Sequence, residues 1–156
     1  MAVNISTPEI NIREKLTELE GKADRLLIRP AFSAAGSGTY TATTNDQNIS
    51  SFCGGTVLLN QGNCLVNGKF TAPIEGLYHF DLKLQVVYSS GYFFSYVFKN
   101  SSSIANHSCQ FYQTNNVCTL SFVIHANEGD YFEPYVTNNY AGASVSSPLW
   151  CGHYIG

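Results

Sequence analysis

The sequence predicts an all-β domain behind a short amphipathic helix, and three observations carry that reading. The segment after Gly76 alternates strictly, with Leu77, His79, Asp81, Lys83 and Gln85 on one face and Tyr78, Phe80, Leu82, Leu84 and Val86 on the other. That period belongs to a long strand with one buried face and one mostly polar face. Aromatic residues are abundant, and Gly, Ser, Thr and Asn fill the gaps between short apolar runs. This is the composition of strands joined by turns. A helical heptad pattern occupies only residues 7–27 and ends at Arg29-Pro30.

Taken in order, the first element is the helix. Thr7-Pro8-Glu9 supplies an N-cap, a proline in the first turn and an acid near the positive end of the dipole. Ile12, Leu16, Leu19, Ala23 and Leu26 then recur at spacings of four and three, an a/d seam of just over two heptads. Glu9–Arg13 and Glu18–Lys22 are i,i+4 pairs in the favourable orientation. Gly21 weakens the helix by roughly 1 kcal/mol relative to Ala, and so short a helix does not hold alone in water. The seam is expected to form a coiled-coil stalk, with residues 1–29 as stalk and anchor and 30–156 as a globular head. A single amphipathic helix lying on the head or on a partner is the alternative.

The head reads as strands at 31–35, 38–44, 55–59, 63–67, 69–72, 76–87, 92–99, 104–112, 117–125, 131–137 and 149–155. Gly68 suits a turn that needs positive φ, and Pro73 belongs at a strand end. Tyr92, Phe94, Tyr96 and Phe98 alternate with Phe93, Ser95, Val97 and Lys99, so both faces are largely apolar. Such a strand is expected to meet the core on one side and a neighbouring subunit on the other. Cys118, Leu120, Phe122 and Ile124 point one face inward. Loops 45–54, 88–91, 100–103, 113–116 and 138–148 are rich in Asn, Ser, Gly and Tyr, residues that make adaptable contact surfaces as well as plain solvated loops.

Charge and cysteine usage narrow the function. The ten charged side chains of residues 1–30 cancel, whereas the rest of the chain holds only Asp46, Lys69, Glu75, Asp81, Lys83, Lys99, Glu128, Asp130 and Glu133. That body carries no basic patch, which argues against nucleic acid. So little charge also solvates a monomer poorly, and large subunit contacts would account for it. No stretch approaches the roughly 20 apolar residues of a membrane span. Met1–Pro8 lacks the basic region and apolar segment of a secretory signal, so either the chain is a mature form or it folds in the cytosol where it is made, and Met1 favours the second. Five cysteines, Cys53, Cys64, Cys109, Cys118 and Cys151, are an odd count and read as buried free thiols. Cys109–Cys118 is the pair that an oxidising compartment would join. Sequons begin at Asn4, Asn48, Asn100 and Asn106 and would matter only in a secretory pathway.

No catalytic constellation is present: no Gly-x-Ser-x-Gly elbow, phosphate loop, HExxH or paired carboxylates. His107-x-Cys109 and Cys151-x-His153 each place both residues on one strand face, and two such pairs could complete a zinc site. Satisfied histidines and buried thiols are the simpler reading. No metal, cofactor or enzymatic activity is expected.

The run Gly68-Lys69-Phe70-Thr71-Ala72-Pro73-Ile74-Glu75-Gly76-Leu77-Tyr78-His79-Phe80 resembles the central motif of the globular head of complement C1q and its relatives. Trp150-Cys151-Gly152-His153-Tyr154-Ile155 resembles the strand that closes those heads, with His153 where an aromatic is usual. Ala31-Phe32-Ser33-Ala34 resembles their opening strand, and Asn127-Glu128-Gly129-Asp130 their late Gly-Asp turn. The resemblance implies a ten-stranded antiparallel jelly-roll sandwich that assembles as a homotrimer, as in the related tumour necrosis factor cytokines. No collagen-like stalk precedes the head here, and no Asp/Asn run matches the calcium loop of some relatives. Phe70, Tyr78, Phe80, Leu120, Phe122 and Trp150 are expected in the core or subunit contacts, and the five seam residues along the stalk axis.

The leader Thr7–Leu16 resembles leaders of small structural proteins of tailed bacteriophages. Together these features lead to the expectation of a non-enzymatic virion protein, a head-decoration protein or fibre tip. It would bind other virion proteins through residues 1–29, and the head loops could meet a host-surface glycan or protein. The alternative is an extracellular C1q-like recognition lectin or cytokine-like ligand of an animal.

Overall fold

A computed structural model describes residues 11–88, 91–111, 116–138 and 143–156. The expected helix start at Thr7-Pro8 lies outside these residues. Helix α1 spans Ile12–Ile28 and is capped by Asn11, whose Oδ1 accepts from the Glu14 N–H at 3.3 Å. The Asn-x-x-Glu spacing at 11–14 is a second start signal that the Thr-Pro pair overshadows. Arg29 takes a left-handed conformation at φ 41° and ends the helix. Pro30 is buried, and its carbonyl accepts from the Tyr154 N–H at 2.8 Å, which fastens the start of the head to its last strand.

The strands are β1 Ala31–Ala35, β2 Thr39–Ala42, β3 Gln47–Asn48, β4 Thr56–Gln61, β5 Leu65–Val66, β6 Lys69–Thr71, β7 Gly76–Tyr88, β8 Gly91–Lys99, β9 Ser102–Phe111, β10 Asn116–Ala126, β11 Tyr131–Asn138 and β12 Ala143–Tyr154, with a one-turn helix α2 at Ser50–Cys53. Apart from the two-residue pieces β3 and β5, the described residues form ten strands. One six-stranded sheet runs β10-β7-β12-β1-β4, with β2 also on β12. The other runs β5-β6-β11-β8-β9, with β3 on β11. All pairings are antiparallel. Two sheets face to face, each with its apolar side inward, make the jelly-roll sandwich.

Two differences from the sequence reading have local causes. β12 begins at Ala143 rather than 149, because a bulge between Ser146 and Leu149 absorbs Pro148 and lets the strand continue. Its extra turn places Ser147 at φ 47°. The loop at 45–54 contains β3 and α2, which are too short to show periodicity; Ile49 and Cys53 plug the core there. Among the described outward aromatics of β8, Phe94, Tyr96 and Phe98 are half-buried within the chain, with Phe98 stacked 4.2 Å from Tyr135 and Tyr96 6.4 Å from Phe98.

The core centres on Phe80. In register, Phe122 of β10, Phe80 of β7, Gly152 of β12 and Phe32 of β1 form one row across the first sheet. A Cβ on Gly152 would come within 2.6 Å of the Phe80 ring and 2.7 Å of the Phe32 ring, so only glycine fits. The Phe80 ring then reaches Phe132 at 4.7 Å and Phe70 at 5.1 Å on the opposite sheet, and Trp150 at 5.4 Å beside it. Phe70, Tyr78, Phe80 and Trp150 are fully buried, and Leu120 is buried. Phe122 is half-buried, because β10 is an edge strand. Tyr78 also donates its hydroxyl to the Ile74 carbonyl at 2.7 Å, which satisfies the one polar atom of that ring.

The Gly-Asp turn acts as a clasp. Gly129 takes φ 87°, and Asp130 accepts from the Asn127 N–H at 2.8 Å, from Asn100 Nδ2 at 2.7 Å and from Lys99 Nζ at 2.7 Å. It thereby ties the β10–β11 turn to the β8–β9 turn. Burial by itself would raise this carboxyl, but the Lys99 and Asn100 donors and the Asn127 amide outweigh it and hold it down at about 2.

Two outcomes follow from this packing and this clasp. Phe80→Ala should lower unfolding stability by roughly 3–5 kcal/mol in urea melts, as for other buried Phe truncations; an unchanged midpoint would contradict the packing row. Since the folded Asp130 titrates below its ordinary value, its stabilisation is full above about pH 4 and is lost as pH falls towards about 2. Asp130→Asn should cost about 1–3 kcal/mol at neutral pH. It should also flatten the loss of melting temperature between pH 4 and 2, and an unaltered acid limb would show that the clasp is not what titrates.

Candidate subunit interface

Fixing the inward row of β7 fixes its outward row, because strand side chains alternate. Val123 of β10, His79 of β7 and His153 of β12 stand side by side in register, and the next row holds Ser121, Asp81 and Cys151. The His79 and His153 rings are 5.2 Å apart. His79 Nε2 is 3.0 Å from Ser121 Oγ, and its Nδ1 lies 3.4 Å from Asp81 Oδ2. His125 Nε2 lies 3.5 Å from Glu75 Oε1. These groups form a thin polar stripe along the middle of the exposed face.

Among the described residues both edges of this sheet are unpaired and expose aliphatic side chains. The β4 edge exposes Val57, Leu58 and Leu59, and the β10 edge exposes Val117 and Val123, the latter at 55%. Leu77 and Ile155 extend the patch at one end. An uncovered edge strand bearing three consecutive aliphatics is a template for association unless another surface covers it. The run Val57-Leu58-Leu59 was visible in the sequence, but its edge position requires the sheet order. The helix seam is open as well, with Ile12 76%, Leu16 54% and Leu19 61% exposed. Ala23 is exposed, and the Leu26 side chain lies outside the described residues. Every described side chain of α1 is exposed, so over its described residues the apolar stripe is not laid against the head of its own chain.

Cys53 and Cys64 are buried free thiols, Cys118 is buried, and Cys151 is a half-buried free thiol. The Cys109 side chain lies outside the described ones, so the Cys109–Cys118 pair is not described; Cys118 Sγ lies 3.5 Å from Ser95 Oγ. Burial pushes the Cys64 thiol up to about 11 and also raises Cys53 and Cys151, the last with help from the Asp81 carboxylate. Thiols held protonated are poor nucleophiles and poor metal ligands. The His107 and Cys109 side chains lie outside the described ones, and Cys151 pairs in register with Asp81 rather than joining a cluster. Among the described residues no group of three His, Cys, Asp or Glu could hold a metal ion. None of their helices is long and apolar enough to cross a membrane.

The strand order and the glycine-centred aromatic row define a jelly roll of the C1q and tumour necrosis factor type. The C1q domain family model matches residues 31–150, and the chain belongs to that family. Among solved structures, the globular domain of zebrafish complement 1qA protein is similar at 17% identity and a TM-score of 0.63, over 82% of this chain and 98% of that one. The PRD1 vertex protein P5 is similar at 17% identity and 0.63, over 83% and 99%. Murine APRIL is similar at 11% identity and 0.62, over 81% and 99%. No curated protein matches the chain.

Proposed function

We propose that this chain is a homotrimeric, non-enzymatic virion protein of a tailed bacteriophage, displaying its C1q-like head as a head-decoration protein or fibre tip. The exposed a/d seam of α1 carries this reading. Ile12, Leu16 and Leu19 present an apolar stripe with no partner in their own chain, which favours a short coiled coil over a helix docked on the head. The first sheet adds a second demand for partners. Its two open edges carry different apolar residues, so one copy's β4 edge would meet a different part of the next copy. Such head-to-tail contacts close into rings rather than pairs. Three heads on one stalk raise avidity for a repeated surface without any new contact. The like fold of the PRD1 vertex protein supports the virion setting, with residues 1–29 as the anchor to other virion proteins.

The second reading, an extracellular recognition protein of an animal, draws on the zebrafish complement head. Two of the four sequons, at Asn48 and Asn100, are poorly placed for glycans, since Asn48 Nδ2 already donates to Glu133 and Tyr135, and Asn100 Nδ2 to Asp130.

Mass spectrometry and labelling of purified particles should find the protein at stoichiometric abundance; its absence would overturn the virion assignment. A Leu16→Asp/Leu19→Asp double variant should keep a folded head while its incorporation into particles falls at least about tenfold, a loss of roughly 1.4 kcal/mol. Undiminished incorporation would show that the seam is not the attachment element.

A further inference from the structure

Three of the chain's four histidines, His79, His125 and His153, stand on the outward face of the first sheet. The fourth, His107, belongs to β9 on the other sheet, and residues 1–30 contain none. Imidazole is the side chain whose ordinary charge change falls between about pH 5 and 8. Acidification across that range therefore recharges this face and leaves the charges of the stalk as they were.

The three imidazoles have unlike surroundings. His79 has Asp81 Oδ2 of its own strand 3.4 Å from Nδ1, and Ser121 Oγ of β10 3.0 Å from Nε2. A proton on His79 is thus answered by a carboxylate. A proton on His125 is answered by Glu75 Oε1 at 3.5 Å. His153 has no such answer. In register it meets His79 on β7 and Ala31 on β1, and the next residue on its own face is Cys151, a thiol that burial and the Asp81 carboxylate keep neutral. Among the described residues no carboxylate lies within ion-pair distance of it. The other charges near this part of the face are cations, Lys83 further along β7 and Arg29 just ahead of β1. The His79 and His153 rings are 5.2 Å apart, so a second proton on the pair faces the first.

In a lone chain water screens that repulsion, because His153 is exposed. A neighbouring head removes the water. Exposed aliphatics flank the pair: Val123 stands beside His79 in the same row, Leu77 two residues before it on β7, and Ile155 two residues after His153. A contact that covers these side chains encloses the imidazoles as well, and burial disfavours their charged form. The assembly then binds fewer protons than the free chains, and by linkage it weakens as pH falls.

We propose, on the homotrimer reading, that the His79–His153 pair makes the contact between heads acid-labile, with His153 as the residue that cannot hold a proton once a second copy covers it. The contact is at full strength near about pH 8 and is lost towards about pH 5.

The test is a dilution series of the full chain, read by light scattering at about pH 7.5 and about pH 5.5. With one proton excluded per chain, the chain concentration at half-assembly should rise at least about tenfold on acidification. His153→Gln and His153→Phe both remove the titrating group, and the second keeps a ring in its place. Each should hold the rise below about threefold, while His107→Gln should leave it at its full value. Where half-assembly falls below the measurable range, the rate of subunit exchange between labelled and unlabelled trimers at the two pH values gives the comparison. A trimer indifferent to this change of pH, or an acid response that survives both His153 variants, would overturn the proposal and leave the trimer reading intact. A chain that is monomeric at both pH values would overturn the trimer reading, and this proposal with it.

Discussion

The rest of this structure is arranged around the space that Gly152 leaves for aromatic rings. Interiors pack at crystal-like density, so a cluster of this many rings survives only where the backbone yields room. Gly152 yields it between Phe32 and Phe80, and Phe80 then bridges to Phe132 and Phe70 across the sandwich. Once Phe80 is fixed, the thirteen residues of β7 have one phase only. The inward row becomes core. The outward row becomes the stripe of Leu77, His79, Asp81 and Lys83 that any partner of this face must meet. The candidate interface is thus a consequence of the core rather than a separate design.

Much of this was legible because the sequence states it twice. Alternation from Leu77 to Val86 gives the phase of β7, and the resemblance to C1q heads supplies the order of strands that alternation cannot. The Asn67-Gly68 and Gly129-Asp130 turns show themselves by residue type, since only a few residues tolerate positive φ. What stayed hidden depends on distant contacts. Pro148 reads as the start of a strand, yet a bulge carries β12 past it. Helix α2 is a single turn held by the burial of Ile49 and Cys53, and four residues cannot show a period. The His79–His153 neighbourhood exists only through the β7–β12 register.

Two surfaces of this chain are left without cover, and they demand different things. The helix seam is a narrow stripe suited to like helices side by side, whereas the two edges of the first sheet carry unlike aliphatic sets. The low charge of residues 31–156 makes the sheet edges hard to solvate in a lone chain. One rotationally symmetric assembly would cover them together, with the stalk on the axis and each head's β4 edge near its neighbour's face. Burial raises the Cys53 and Cys64 thiols and keeps them away from any partner surface, so these two offer assembly no route through oxidation.

The direct measurement is the solution mass of the full chain by light scattering in the presence of reductant, repeated on residues 30–156. The account predicts a full-length species of three chain masses that persists at low concentration and without disulfides. A monomer, a dimer, or a trimer that appears only after oxidation would contradict it.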